Sequence, residues 1–166
     1  MGNISERTTS TRLGDTTILA SRLPAQRWYA LCQPGVEMAA RPLVLIVDDE
    51  PLIRWALAET LISCGCDIVE AGDAQSAVKV LTDGADRFDV VVLDYHLPDA
   101  HDLALLATTR RLSPGSQVIM MTAFITPDVA ARALDLGACR VLHKPIEMDA
   151  LAALVLEAYR SNHTSS

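Results

Sequence analysis

The sequence predicts an α/β domain in which a doubly wound, five-stranded parallel sheet carries helices on both faces. From Leu43 onward, short apolar β-rich runs alternate with helical stretches of ten or more residues, and the alternation repeats five times. Three of the runs are apolar almost throughout, as strands covered on both faces are. Each link between runs holds a helix, so right-handed crossovers can join parallel neighbours.

The elements follow in order. The run 43–47 (LVLIV) is a central strand. Pro51 suits the first turn of a helix over 51–64, with Leu52, Ile53, Ala56, Leu57, Thr60 and Leu61 on one stripe and Gly65 just past its end. The run 66–70 (CDIVE) is more polar and suits an edge. Asp73 can cap a helix over 73–83. The runs 89–93 (DVVVL) and 117–121 (QVIMM) belong to the sheet interior, and Asp102 can cap the helix between them, over 102–112. Pro127 and Gly137 bracket a helix over 127–137. The run 140–143 (RVLH) is the fifth strand, and a helix over 147–159 closes the series with Leu151, Leu154, Val155 and Ala158 on one stripe.

A length of 166 residues is one ordinary domain plus a remainder. The expected division is a poorly ordered tail over 1–40, a domain over 41–160 and a short C-terminal tail over 161–166. The first 40 residues hold eight Ser/Thr, three Gly and two Pro, and their only apolar cluster is Trp28, Tyr29, Ala30 and Leu31. Glu6 breaks the myristoylation pattern, and Met38, just before the ordered pattern begins, is a candidate start of a shorter chain. The longest apolar run, Ala150 to Leu156, has seven residues, against the roughly 18 a membrane span requires. Net charge is -7, with +1 on residues 1–40 and -8 on 41–166, which argues against direct nucleic-acid binding. Cys32, Cys64, Cys66 and Cys139 are too few and too irregular for a disulfide framework, and Cys64-Gly65-Cys66 lacks a second ligand pair at zinc spacing. Packing thiols in a reducing, cytoplasmic setting are the expectation.

Ligands of an open parallel sheet bind beyond the carboxyl ends of its strands. The first run ends in Asp48-Asp49-Glu50, the third in Asp94, the fourth in Thr122 and the fifth in Lys144-Pro145. Two carboxylates about 4 Å apart repel by roughly 4 kcal/mol at an effective dielectric of about 20, so such a crevice calls for a cation. A hard divalent ion, Mg²⁺ first, suits oxygen ligands. With it bound, a carboxylate could attack a phosphoryl group, and the hydroxyl and ammonium could share the charge of the transferred oxygens.

LVLIVDDEP, VVLDYHLPD, VIMMTAF and LHKP stand in an order and at separations that resemble the receiver domains of two-component response regulators, over about Leu43 to Tyr159. The resemblance implies the flavodoxin-like (βα)5 fold. It also implies Asp94 as phosphoacceptor, Mg²⁺ held by Asp48, Asp49, Asp94 and the backbone carbonyl of His96, and Thr122 and Lys144 moving toward the phosphate. The Lys144-Pro145 bond is expected to be cis. The implied partners are a sensor histidine kinase or phosphotransfer protein and a downstream protein target. Helix four, strand five and helix five would form the responding surface and a place for homodimerisation. With no output segment in the sequence, a stand-alone receiver in a phosphorelay is the expected role, a phosphoacceptor rather than an enzyme.

The chain departs from the family pattern in three places. Val141 stands where many relatives carry an aromatic residue, which puts an aromatic switch in doubt. Asp102 replaces a customary Gly, and Asp99 and His101 add polar groups to the loop facing a kinase. His96 is the side chain expected to tune phosphate lifetime, while His143 is expected to face away from the site. A flavodoxin-type nucleotide module would want Gly-rich backbone after the first strand, and an aspartate phosphatase a DxD signature. A receiver-like interaction module that no longer uses phosphate is the remaining alternative.

Overall fold

The computed structural model describes residues 41–84 and 88–163. The expected N-terminal tail, with its apolar cluster, Cys32 and Met38, lies outside them, as do residues 164–166 of the expected C-terminal tail. Five strands, β1 (Leu43–Val47), β2 (Asp67–Ala71), β3 (Val90–Asp94), β4 (Gln117–Thr122) and β5 (Ala138–His143), form one parallel sheet in the order β2-β1-β3-β4-β5. The polar second run is an edge and the three apolar runs are central, as predicted. Helices α1 (Pro51–Ser63), α2 (Ala74–Asp83), α3 (Ala104–Leu112), α4 (Pro127–Asp135) and α5 (Met148–His163) link and follow the strands.

Alternation along the strands divides the core in two. Val44, Ile46, Val90, Val92, Ile119 and Met121 pack with Leu57 and Leu61 of α1 and Leu151 and Val155 of α5. Leu45, Val47, Val91, Leu93, Val118 and Met120 pack on the opposite face with Leu81 of α2, Leu106 of α3 and Ala133 of α4. Each such large side chain, fully withdrawn from water, contributes about 1.5–3 kcal/mol. Cys66 is buried in the first cluster, with Cys64 and Cys139 packed against it, which is a packing role. Among the described residues no helix is long and apolar enough to cross a membrane.

The helix ends follow their local chemistry, with two exceptions. Pro51 and Pro127 sit in first turns, and the Asp73 carboxylate accepts from Ser76 N–H at 2.6 Å. Gly65 (φ 85°) and Gly137 (φ 99°) supply the left-handed residue after α1 and α4. Asp102 is not the cap of α3: it lies at φ 50°, a conformation that a cap does not use, and α3 begins two residues later behind Leu103. The loop thus keeps the turn a Gly would make. Nor does the last helix stop near Tyr159. Asn162 donates to the Gly115 carbonyl at 2.8 Å and accepts from the Gln117 amide at 3.2 Å, so Ser161 to His163 continue α5 although they lie beyond its apolar stripe.

A side chain at Gly137 would have to adopt its positive φ and place Cβ 2.9 Å from Arg110 Nε, whereas one at Gly115 would meet open space. Gly137→Ala is therefore expected to lose about 1–3 kcal/mol of stability. Gly115→Ala, measured by the same chemical denaturation, should change it little.

Candidate functional site

The strand order reverses between β1 and β3, and the crevice beyond their carboxyl ends is where the reactive residues gather. Asp48 follows β1 and is fully buried, Asp94 ends β3 at 5% exposure, and Thr122 ends β4 and is fully buried. Lys144 directly follows β5, and its bond to Pro145 is cis. Its ammonium lies 2.8 Å from Asp48 Oδ2, 2.6 Å from Asp94 Oδ2 and 3.8 Å from Glu50 Oε1. Burial opposes the charged ammonium, but hydrogen bonds and charge from Asp48 and Asp94 outweigh it and hold the Lys144 pKa above its ordinary value.

Backbone bonds fix these groups in place. Glu50 N–H donates to Asp48 Oδ1 at 2.8 Å and His96 N–H to Asp94 Oδ1 at 3.1 Å. Beyond the ladder, Tyr95 N–H reaches the Met121 carbonyl and Lys144 N–H the Thr122 carbonyl, both at 2.8 Å. The carboxylates of Asp48, Asp49 and Asp94 bring ligand oxygens within 4.8 Å of one another, the only such group of three or more among the described residues. This oxygen set, two parts buried and one exposed, fits a hard divalent ion.

The sequence-predicted residues differ in how they meet. Asp48, Asp49, Asp94 and Lys144 converge, whereas the Thr122 hydroxyl bonds with the Phe124 backbone, 3.2 Å from both its N–H and its carbonyl. The exposed His96 ring stands edge-on to Tyr95 at 4.8 Å and to Phe124 at 5.9 Å. His143 is exposed and Val141 half-buried against the second core cluster, so no aromatic side chain occupies that position of β5.

Two residues at the site escaped the sequence reading, and a third was read for its polarity but not for its contacts. Arg54 of α1 donates to the Asp48 carbonyl at 2.6 Å and pairs with Glu70 of β2 at 3.2 Å. Its signal was only a lone cation inside an apolar stripe. Phe124 is 75% exposed beside His96, two residues past Thr122. Asp99, read as a polar group toward a partner, instead accepts from Ala74 N–H at 2.9 Å and Gln75 N–H at 3.0 Å, at the start of α2. The bond from Ala74 leads in holding the Asp99 pKa below its ordinary value, against the pull of desolvation.

The family model for the response regulator receiver domain matches residues 44–156. The chain is 34% identical over 117 residues to the two-component response regulator ORR21 of Oryza sativa subsp. indica, covering 70% of this chain and 17% of that protein. It is 39% identical over 121 residues to the transcriptional regulatory protein PdtaR of Mycobacterium tuberculosis, covering 70% of this chain and 57% of the relative. It therefore spans only part of the length of either. Among solved structures, a CheY-like receiver domain protein from Methanospirillum hungatei JF-1 superposes with a TM-score of 0.72 at 24% identity, covering 76% of this chain and all of that one. The signal receiver domain of an HD domain-containing protein from Pseudomonas fluorescens Pf-5 gives 0.68 at 27% identity, covering 75% and 99%.

Because the Lys144 pKa is raised above 10.5, the stability from its ion pairs is present in full below that pH and is lost as pH rises through the raised value. Lys144→Met should remove this alkaline loss, which denaturant titrations from neutral to strongly alkaline pH would reveal as a flatter profile than the parent's.

Proposed function

The chain belongs to the response regulator receiver family of two-component systems, and on that premise we propose that it accepts a phosphoryl group on Asp94 from a histidine kinase or phosphotransfer protein. The observation that carries this reading is the Lys144 ammonium lodged between Asp48 and Asp94 at the switch point of the sheet. Asp48, Asp49 and Asp94, with the backbone carbonyl of His96, would hold Mg²⁺, which when bound supplies positive charge to the transferred oxygens. The proposed receiver unit runs over 41–160 and is continued by the last turn of α5.

A carboxylate oxygen of Asp94 attacks the phosphorus of a phosphohistidine. The phosphorus–nitrogen bond breaks, its electron pair returns to the imidazole, and an acyl phosphate forms on Asp94. Lys144 keeps its proton throughout and pairs with the new phosphoryl oxygens. The Thr122 hydroxyl, engaged by the Phe124 backbone in the unmodified chain, turns to donate to the same group. Attack by water on phosphorus later releases inorganic phosphate and restores the carboxylate. The phosphoryl group carries about -1.5 to -2 charge in place of the single carboxylate charge, and this gain, with the release of Phe124, would change the affinity of α4, β5 and α5 for a downstream protein.

Incubation with a small phosphodonor is expected to give one phosphoryl adduct by intact-mass analysis, absent with chelator and absent from Asp94→Ala. Failure of the folded parent to label would favour a receiver-like docking module that no longer uses phosphate. We extend the proposal to the His96 ring, edge-on to Phe124 at 5.9 Å, which would shield the Asp94 phosphoryl group from water, so His96→Ala is expected to hasten loss of the adduct about threefold, roughly 0.7 kcal/mol in barrier. A timed mass series measures this directly.

A further inference from the structure

Beyond its last sheet bond, from Tyr95 N–H to the Met121 carbonyl, the loop after β3 buries Leu97 and Leu103 in the second core cluster, packs Tyr95 and Ala100 against it, and closes a turn from Ala100 N–H onto the Leu97 carbonyl. Asp99 adds a long-range hydrogen-bonded anchor: its two carboxylate oxygens take the N–H groups of Ala74 and Gln75 across 25 and 24 residues of chain. Asp73 takes the next N–H, of Ser76, so two carboxylates satisfy the first three donors of α2.

The start of α2 is fastened in turn to the other half of the pocket. The Ala71 carbonyl accepts from Asp48 N–H at 3.2 Å, and the Arg54 guanidinium, which holds the Asp48 carbonyl, packs where a Cβ at Gly72 would meet it at 3.4 Å. Besides the Lys144 ammonium that bridges the two carboxylates directly, two backbone routes thus join Asp48 to Asp94: the β1–β3 ladder, and a belt through Ala71, the first turn of α2 and Asp99. Asp99 is itself exposed, so removing its carboxylate takes away no core.

We propose that Asp99 is a positioning residue, tying the phosphoacceptor loop to the first turn of α2 and so setting the spacing of Asp94 and the His96 backbone against Asp48. The proposal rests on the reading of this pocket as a Mg²⁺ site. It acts through backbone placement, as residues behind metal ligands do.

The test compares the full chain with Asp99→Ala, Asp99→Asn and Asp73→Ala. Asp73→Ala strips a bond from the same turn of α2 but leaves the β3–α3 loop alone. Two readouts are taken: Mg²⁺ affinity by calorimetry, and hydrogen exchange of the His96 amide in metal-free protein. Asp99→Ala should weaken Mg²⁺ about tenfold and speed exchange at His96. Asp99→Asn, which keeps one acceptor oxygen, should fall between it and the parent and serves if the Ala variant does not fold. Asp73→Ala should lower thermal stability while leaving both readouts at parental values. If Asp99→Ala or Asp99→Asn lowers stability but leaves both readouts unchanged, the proposal is overturned and Asp99 is only a helix cap. Absence of Mg²⁺ binding by the parent would sink the metal reading instead, and the exchange comparison would still decide whether Asp99 holds the loop.

Discussion

Two carboxylates withdrawn from water at the ends of neighbouring strands are the constraint around which the rest of this molecule is arranged. Asp48 and Asp94 can stay close and ionised only beside a cation, and the Lys144 ammonium provides it at 2.8 and 2.6 Å. That pairing requires β5 to end level with β1 and β3 on the same edge, which a parallel sheet with helical crossovers achieves. The two-sided core then serves as a rigid mount. A charge introduced at Asp94 acts on a site where a single ammonium already faces several carboxylates.

Much of the fold was legible because burial on both faces leaves an unmistakable apolar run: LVLIV, VVVLD and QVIMMT all lie at the centre, and the polar DIVEA lies at an edge. Boundaries were legible where a single residue decides them, as at Pro51, Asp73 and Gly137. They were not where a tertiary contact decides. Asp102 has the chemistry of a cap, but the loop demands a left-handed residue there. Ser161 to His163 look like the beginning of a tail, but contacts of Asn162 with residues 45 and 47 positions earlier, and of His163 with Asp89, help hold them in the helix.

The site divides in the same way. Residues that bear charge at a strand end announce themselves, so Asp48, Asp49, Asp94 and Lys144 could be read in order from the chain. Residues that work by holding backbone do not. Arg54 and Asp99 are ordinary surface types in sequence, and their main-chain partners, the Asp48 carbonyl six residues from Arg54 and the N–H groups of Ala74 and Gln75 at 25 and 24 residues from Asp99, are chosen only in the folded chain. Phe124 is one aromatic residue in a short loop after Thr122, with nothing in the sequence to mark the ring it faces. The structure places its exposed aromatic contact at His96.

The sequence separation within the pocket has a consequence for how the molecule is made. Lys144 and Asp48 are 96 residues apart, and Lys144 and Asp94 are 50 apart. The first carboxylates leave the ribosome long before their counter-ion, and β1 finds β3 only after the intervening hairpin-free segment containing β2 has been spanned. Such distant pairings form late, since the entropy of closing the chain is spent before the contact rewards it. A partly synthesised chain therefore carries the acidic residues without the lysine that pairs with them, and competence at the site arrives together with completion of the sheet.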